Sequence, residues 1–417
     1  MRICVLGAGV VGITTAWMLS EQGYDVTLVD KHAAGGLGTS YGNGAQLSYS
    51  YVTPFSTPSL LSKIPGILLG RDPAIRMRPP LDRDFLLWGL RFLACCRESR
   101  VRETVAAQLA LAELSRVELQ RIQASHALDF DWAQPGKLVV YRDAVAFKAA
   151  IRQAELQQSV VIREILSPTG CLETEPALRI AANRLAGGIF TPTEQVGDCA
   201  RFCSQLLALF RQKNNATICL NTRINAPIVR DRQLHAVKTS EGDVEADAFV
   251  VAMGPEAREF CKSVGINLPM YPIKGYSVTV RPPRSGRAPK RSVTDSSAKV
   301  VVAPLGKERI RVAGAADFVG YDTAIDRARV ELLVARAREL FDVDAEGDWS
   351  IWSGLRPSTP DSRPIIGKSA VKGLFLNTGH GALGWTLACG SARMVTDMIA
   401  GTKESLDHRL FALRQAA

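Results

Sequence analysis

The sequence predicts an α/β fold. A discontinuous parallel-sheet domain with helices is paired with an α+β domain built on an antiparallel sheet. Three observations predict it. The chain opens on strand, glycine turn, helix, strand and acid. It closes on a second strand, glycine turn and helix. The apolar strand signals between those ends fall into two kinds, buried runs suited to a parallel sheet and a strand-rich stretch suited to an antiparallel one.

The opening unit is Met1-Arg-Ile-Cys-Val-Leu, then Gly7-Ala-Gly9-Val10-Val11-Gly12, then the helix-like Ile13-Thr-Thr-Ala-Trp-Met-Leu. A second strand, Asp25-Val-Thr-Leu-Val-Asp30, ends in a carboxylate. A GxGxxG pattern alone is weak; this one has the flanking strands and terminal acid that give it meaning. Gly7 permits the tight turn, Gly9 lets backbone approach a pyrophosphate, and Gly12 lets helix and strand pack closely. The pyrophosphate then meets free N–H groups and the positive end of the helix dipole. Asp30 is placed to accept from adenosine ribose hydroxyls and to repel a 2′-phosphate. The unit is Rossmann-like and implies an ADP-containing dinucleotide.

Near the other end, the strand-like Gly373-Leu-Phe-Leu leads to Asn377-Thr-Gly379-His380-Gly381-Ala-Leu-Gly384-Trp385-Thr386 and a run with helical apolar spacing. A second helix end suits negative charge developing elsewhere on the same cofactor. A flavin gathers such charge near N1 and the C2 carbonyl on reduction, whereas a nicotinamide gains none. The pair of turns therefore favours FAD over NAD.

Between these ends, Ala246-Asp-Ala-Phe-Val-Val-Ala-Met-Gly254 reads as a buried strand of a central parallel sheet, and Thr217-Ile-Cys-Leu as another. Gly188-Ile-Phe-Thr leads through Gly197-Asp198 into an amphipathic helix, with Asp198 placed as its cap. Gly136-Lys-Leu-Val-Val-Tyr and residues 271–312 suggest the antiparallel sheet. The expected division gives 1–80, 168–260 and 352–417 to the cofactor domain. Residues 81–167 and 261–351 go to the substrate domain.

The 417 residues suffice for two domains, and 47% hydrophobic with 22% charged residues describes a folded chain. The motif starts so near Met1 that no cleavable signal peptide is expected. No apolar run is long enough to span a bilayer. Nine scattered cysteines and five histidines indicate neither a disulfide framework nor a metal site. A reducing cytoplasm is the expected compartment. The net charge of +10 comes without an aromatic RNA-binding signature, so no nucleic-acid partner is expected. Residues 54–96 stand apart: Leu60-Leu-Ser-Lys-Ile-Pro-Gly-Ile-Leu-Leu and Phe85-Leu-Leu-Trp-Gly-Leu-Arg-Phe-Leu-Ala are interleaved with Arg71, Arg76, Arg78 and Arg83. Apolar area with cations suits contact with the inner face of a cytoplasmic membrane. The alternative is a helix that covers the substrate domain.

Six strings carry a family resemblance over nearly the whole chain. They are Gly7-Ala-Gly-Val-Val-Gly12, Thr39-Ser40-Tyr-Gly-Asn43-Gly44-Ala-Gln46-Leu-Ser48, Thr191-Pro-Thr-Glu-Gln-Val-Gly197-Asp198-Cys, Tyr271-Pro-Ile-Lys-Gly275-Tyr276-Ser, Gly354-Leu-Arg356-Pro-Ser-Thr-Pro-Asp361 and Asn377-Thr-Gly-His-Gly-Ala-Leu-Gly-Trp385-Thr. In this order they resemble the D-amino-acid oxidase superfamily of FAD-dependent oxidoreductases, most closely its bacterial D-amino-acid dehydrogenase branch. The resemblance implies oxidation of the Cα–N bond of a small amino acid, with electrons passed to a quinone or other non-oxygen acceptor. Alternatives are a cyclic substrate such as D-proline or D-hydroxyproline, an oxygen-using oxidase, and an FAD-dependent nucleic-acid-modifying protein.

By position it places Asp30 and Lys31 at the adenosine end and Ile224 against adenine through its backbone. Thr39, Ser40, Asn43, Gly44 and Gln46 line the pyrophosphate and isoalloxazine, and Gly379 to Thr386 cover the N1 and C2 carbonyl side. The family's usual Asn-Ala-Gly is here Asn43-Gly44-Ala45, which shifts where a positive φ is cheap. Arg356, aimed by its flanking Gly-Leu and Pro, is the expected carboxylate clamp, since a guanidinium offers a planar fork. Tyr276 either reaches the same carboxylate or packs in the core. Tyr51 and His380 complete the candidate catalytic set.

Overall fold

The computed structural model describes residues 1–77, 82–155, 161–283, 287–343 and 349–414. A six-stranded sheet runs in the order Ile365–Lys368, Leu374–Thr378, Ala248–Val251, Arg2–Leu6, Asp25–Val29, Ala216–Cys219. All its pairings are parallel except that of the edge strand Ile365–Lys368. Strand Arg2–Leu6 explains how both faces are covered. Ile3 and Val5 enter one apolar cluster while Cys4 and Leu6 enter another, the period-two division of a doubly covered strand.

On the first face lie helices Val10–Glu21, Cys199–Arg211 and Gly384–Ala400, together with the long helix Glu98–Ser125. Asp198 caps Cys199–Arg211 by accepting from the Ala200 and Arg201 N–H groups, as its position before the apolar run predicts. On the second face a three-stranded antiparallel sheet spans Ile224–Arg230, Gln233–Thr239 and Gly242–Glu245, beside helix Ala257–Ser263.

The second sheet has nine strands among the described residues. Its main path is Ser350–Ser358, Tyr271–Val280, Arg309–Phe318, Val300–Leu305, Ser292–Asp295, Lys137–Tyr141, Gly187–Thr191, Glu164–Leu166. The ninth, Ile75–Met77, pairs in parallel with Ala316–Phe318. Helix Arg327–Arg338 and the turns at 168–185 close its outer face. The α/β architecture with an antiparallel-based second domain is thus as the sequence predicts.

Three assignments along the chain differ from expectation. Helix Glu98–Ser125 buries Ala107, Leu111 and Leu119 against helix Gly384–Ala400 on the parallel-sheet side, although 81–167 was expected in the substrate unit. Strand Gly187–Thr191, expected in the cofactor unit, pairs with Lys137–Tyr141 in the second sheet. Ile75–Met77 also belongs there rather than with 1–80. Chain order does not encode which layer an amphipathic segment covers; the complementary apolar face does.

Candidate functional site

The first glycine turn is built by sterics. Gly7 has φ +104, and a Cβ there would lie 2.6 Å from the Ala252 carbonyl oxygen. A Cβ on Gly12 would lie 1.8 Å from the Gly7 carbonyl oxygen. Gly9 is different. Its φ of −75° and ψ of 177° suit any residue, and a Cβ would meet only Ser40 Oγ, at 3.5 Å. The protein leaves space at Gly9 that it does not itself fill, as close approach of a phosphate group requires. Ser40 Oγ accepts the Val10 N–H at 3.0 Å, and Val11 N–H also opens on the helix start.

At the end of the second strand, Asp30 Oδ2 accepts from Ala8 N–H at 2.6 Å and keeps room for a further donor, while Oδ1 accepts from His32 N–H at 2.8 Å and lies 2.7 Å from His32 Nδ1. Lys31 forms an ion pair with Glu256 at the surface. Ile224 opens the three-stranded sheet and packs beside the apolar cluster of Cys4 and Leu6. Gly254, at φ +56, follows strand Ala248–Val251.

The segment 39–48 then crosses the inner face of the second sheet strand by strand. Thr39 Oγ1 donates to the Leu355 carbonyl at 2.7 Å, and Ser277 Oγ donates to the Gly42 carbonyl at 2.6 Å. Arg311 Nη1 donates to the Asn43 carbonyl at 2.9 Å, and Gln46 Nε2 donates to Ser292 Oγ at 2.5 Å. Asn43 Oδ1 accepts the Ala45 N–H at 2.9 Å. The inverted Gly44-Ala45 pair has a structural consequence: Ala45, not Gly44, carries the positive φ of 58°. Left-handed backbone on a non-glycine residue costs about 1–2 kcal/mol.

Arg356 is set by two devices on neighbouring strands. Gly275 has no side chain, and a Cβ there would lie 2.2 Å from Arg356 Nη2, so the guanidinium crosses that position. Beside it the pairing of Tyr271–Val280 with Arg309–Phe318 shifts register, and Ala315 adopts φ +61°. This bulge turns the Ala315 carbonyl toward Arg356 Nη1, at 2.9 Å. Arg356 makes no ion pair among the described residues. Burial pulls its pKa down, with the Asp317 charge opposing. A half-buried fork without a carboxylate is what a carboxylate ligand requires.

An isolated bridge between Ser358 and His380 brings the second glycine turn alongside the Arg356 strand. Gly379 and Gly381 take φ +77° and +53°. A short 3-10 turn, Gly381–Leu383, precedes helix Gly384–Ala400. Thr386 Oγ1 accepts the Ser48 N–H at 3.1 Å. His380 is buried with Nε2 lacking a partner among the described residues, and burial holds its pKa down to about 3. It is a neutral imidazole at neutral pH. Buried Arg311 Nε and Asn377 Oδ1 likewise lack partners. Orphaned polar atoms along this seam fit a bound polar group.

Two candidates point elsewhere. Tyr276 stands on the opposite face of its strand from Gly275. Its hydroxyl donates to Asp317 Oδ2 at 3.2 Å, within a network where Asp317 also pairs with Arg76 and Arg329. Of the two readings the sequence left open for Tyr276, its position is that of core packing. Trp385 donates from Nε1 to the Gly197 carbonyl at 3.2 Å and packs on Phe202, inside the parallel-sheet core. Tyr51 remains at the seam, hydrogen-bonded to Thr191 Oγ1 at 2.9 Å, its own pKa raised to about 12 by burial. Sequence reading missed Arg311, Gly275 and two buried charges, Lys137 and Glu194. For Lys137 and Arg311 the available signal was a charged residue in a largely apolar strand of a covered sheet.

Comparison with known proteins agrees with this geometry. The family description "FAD dependent oxidoreductase" matches residues 2–398. The chain belongs to that family. FAD is therefore its cofactor, and the fit rests on the open Gly9 cradle at a helix start and on the orphaned polar atoms. The chain is 42% identical to D-amino acid dehydrogenase 2 of Ralstonia nicotianae, covering 99% of this chain and 100% of that one. It is 41% identical to D-amino acid dehydrogenase 2 of Pseudomonas aeruginosa, covering 97% and 96%. Among solved structures, L-proline dehydrogenase from P. horikoshii superposes with a TM-score of 0.75 at 17% identity, covering 99% and 96%. Glycine oxidase from Geobacillus kaustophilus gives 0.74 at 21%, covering 100% and 99%. These structural likenesses speak to the fold.

Proposed function

We propose that this enzyme oxidises the Cα–N bond of a small D-amino acid, yielding an imino acid that hydrolyses to the 2-oxo acid. The observation that carries the reading is Arg356: a guanidinium aimed by a bulge carbonyl and a glycine, with no carboxylate paired to it among the described residues. The D-amino acid dehydrogenase relatives, alike over their whole length, supply the substrate class. FAD, when bound, supplies the hydride acceptor at N5. The chain's own work is positional. Arg356 fixes the carboxylate, which leaves one rotation to choose which substituent of Cα faces the cofactor. Neutral His380 adds no charge to that seam. No side-chain base is required if the amine reacts in its neutral form.

The test is anaerobic bleaching of the flavin absorbance by a panel of D- and L-amino acids, cyclic ones included. D-amino acids should bleach it, and Arg356→Ala should lose about 2–5 kcal/mol of substrate binding or transition-state stabilisation with FAD retained. Arg356→Lys should not restore it, because a point charge lacks the fork. Parental kinetics in the alanine variant would assign the carboxylate to another residue.

The acceptor is proposed to be a quinone reached at a membrane surface. Helix Arg83–Cys95 turns Trp88 and Phe92 inward and leaves Leu86 58% and Leu90 66% exposed. Leu68 and Leu69, at the end of helix Ile64–Leu68 and just past it, are 65% and 66% exposed, and Ile67 of that helix packs in the same cluster. Exposed Lys63, Arg71 and Arg83 accompany these leucines; Arg78 lies outside the described residues. Among the described residues no helix is long and apolar enough to cross a membrane, and the contact proposed is one at the membrane surface. Anionic vesicles should bind the protein and release it as salt rises. Indifference to vesicles together with rapid turnover on oxygen would make the enzyme an oxidase.

A further inference from the structure

Lys137 lies within the second sheet and is 6% exposed. Its Nζ donates to Gln46 Oε1 at 3.0 Å and to Ser48 Oγ at 3.0 Å, and stands 4.3 Å from the centre of the Tyr51 ring. It makes no ion pair among the described residues. Glu194, 1% exposed, accepts the Ser50 N–H through Oε1 at 3.0 Å, while its Oε2 has no partner among them. The other titratable groups facing this cluster are Tyr51, Arg163 across the Tyr51 ring, and Tyr49, which contacts Gln195. A buried ammonium and a buried carboxyl that do not touch are expensive, and the fold keeps both beside residues 46–50, next to the segment the proposed reading places along the cofactor.

An ammonium has three donors and no acceptor, so it dictates which end of the Gln46 amide it meets. Oε1 must face Lys137. Nε2 then faces Ser292 and keeps one N–H in reserve. Ser48, the second acceptor, is tied through its N–H to Thr386 at the start of the carboxy-terminal helix. The charge thereby orders both sides of the seam. We infer that Lys137 is a positioning residue of the amino-acid site, whose ammonium fixes the Gln46 amide and favours a bound carboxylate. The inference rests on the site reading given above. Burial pulls Lys137 down to about 8, against the opposing charge of Glu194. The ammonium is present below that pH and lost above it. Tyr51, pushed up to about 12, keeps its proton across the same range.

The test titrates the FAD-loaded enzyme with benzoate, a carboxylate with no amine to oxidise, and reads the shift in flavin absorbance between about pH 6.5 and 9.5. Losing one charge at the edge of the pocket should weaken benzoate about fivefold from the low to the high end in the parent enzyme. Lys137→Met should bind weakly and without that dependence. Lys137→Arg, charged throughout, should bind with no alkaline loss. Glu194→Gln removes the charge that favours the ammonium and should move the midpoint to lower pH. A parental alkaline limb in Lys137→Met or Lys137→Arg, or an unmoved midpoint in Glu194→Gln, overturns the inference. Flavin content and thermal midpoint identify any variant that fails to fold, and the remaining two then decide. Arg356→Ala separates the two readings. If it binds benzoate as the parent does, the site assignment fails; if it does not, while the Lys137 variants keep the limb, only the role of Lys137 fails.

Discussion

The two glycine turns share one order of elements, strand, turn and helix, yet their glycines are there for different reasons. In the first turn Gly7 and Gly12 are required by the protein itself: a Cβ at either would overlap a backbone carbonyl oxygen. Gly9, between them, is required by nothing in the protein. In the second turn Gly379 and Gly381 serve their positive φ, and Gly384 sits at the helix start with φ −54° and ψ −38°. A Cβ on Gly384 would meet only His380 Cβ, at 3.6 Å, an ordinary contact. Each turn thus holds one glycine that the fold does not need. We propose those two as the positions where backbone approaches the cofactor.

The largest effect should come from breaking the first turn at a glycine the fold does need. Gly12→Val places side-chain atoms on the Gly7 carbonyl, in the central layer between helix Val10–Glu21 and strand Arg2–Leu6. Backbone cannot yield there as a side-chain end could, so the loss should reach on the order of 4–5 kcal/mol. Little soluble protein is expected. A folded Gly12→Val protein with a parental thermal midpoint would show the turn to be softer than its geometry implies.

Gly9→Val should separate folding from cofactor binding. Its backbone angles suit valine, and the Cβ meets only Ser40 Oγ, at an ordinary 3.5 Å. The apo protein should remain within about 1 kcal/mol of the parent apo protein in chemical unfolding, in line with substitutions that meet no packed neighbour. The purified variant should be colourless. Normal FAD occupancy would mean that the space at Gly9 is not where the pyrophosphate sits.

How far the sequence reveals this arrangement depends on what each signal specifies. The glycine turns were readable because their residues act on neighbours a few positions away, and the parallel strands because their apolar runs are continuous. Side-chain direction in the second sheet was not. Strand Tyr271–Val280 is covered on both faces, so no polar alternation tells which parity faces the seam. Tyr276 therefore read as well for the site as for the core, while Gly275, its neighbour, is the residue that lets Arg356 pass. At the bulge that completes the Arg356 site the positive φ falls on Ala315 and not on the neighbouring Gly314, so the glycine in the sequence does not mark the turned carbonyl. The strand that carries Lys137 was readable, but the direction of the lysine was not. Its burial follows from Gln46 and Ser48, which reach it from ninety positions away. In helix Arg83–Cys95 the sequence left membrane contact and a covering helix open; the structure turns Trp88 and Phe92 inward and leaves Leu86 and Leu90 exposed.

The second turn can be tested by acid. His380 is held down to about 3 by burial, below its ordinary value near 6.5. Between those values the unfolded chain binds a proton that the folded chain refuses, so stability rises with pH across that window and is lost as pH falls. The slope from this one group should approach about 1.4 kcal/mol per pH unit within the window. His380→Gln, which cannot take up a proton, should flatten the acid limb of stability by about that amount. An unchanged limb in denaturant titrations at about pH 4 to 7 would mean that the imidazole becomes hydrated and charged without unfolding.

The smallest effect returns to the comparison at its finest point. Gly384 opens helix Gly384–Ala400 with angles any residue can adopt and room for a methyl group. Gly384→Ala should stabilise the apo protein by about 0.5–1 kcal/mol, because alanine loses less backbone freedom on folding. The gain should appear as a higher denaturant midpoint with an unchanged slope. If Gly384 matches Gly9 in serving the cofactor, the same methyl group should also weaken FAD by roughly tenfold, about 1.4 kcal/mol. Stability and cofactor affinity would then move in opposite directions on one substitution, which no packing account of Gly384 produces. A more stable apo protein with parental FAD affinity would leave the first turn alone in holding a glycine for the ligand, and the second turn would act on the cofactor through its helix start and His380 only.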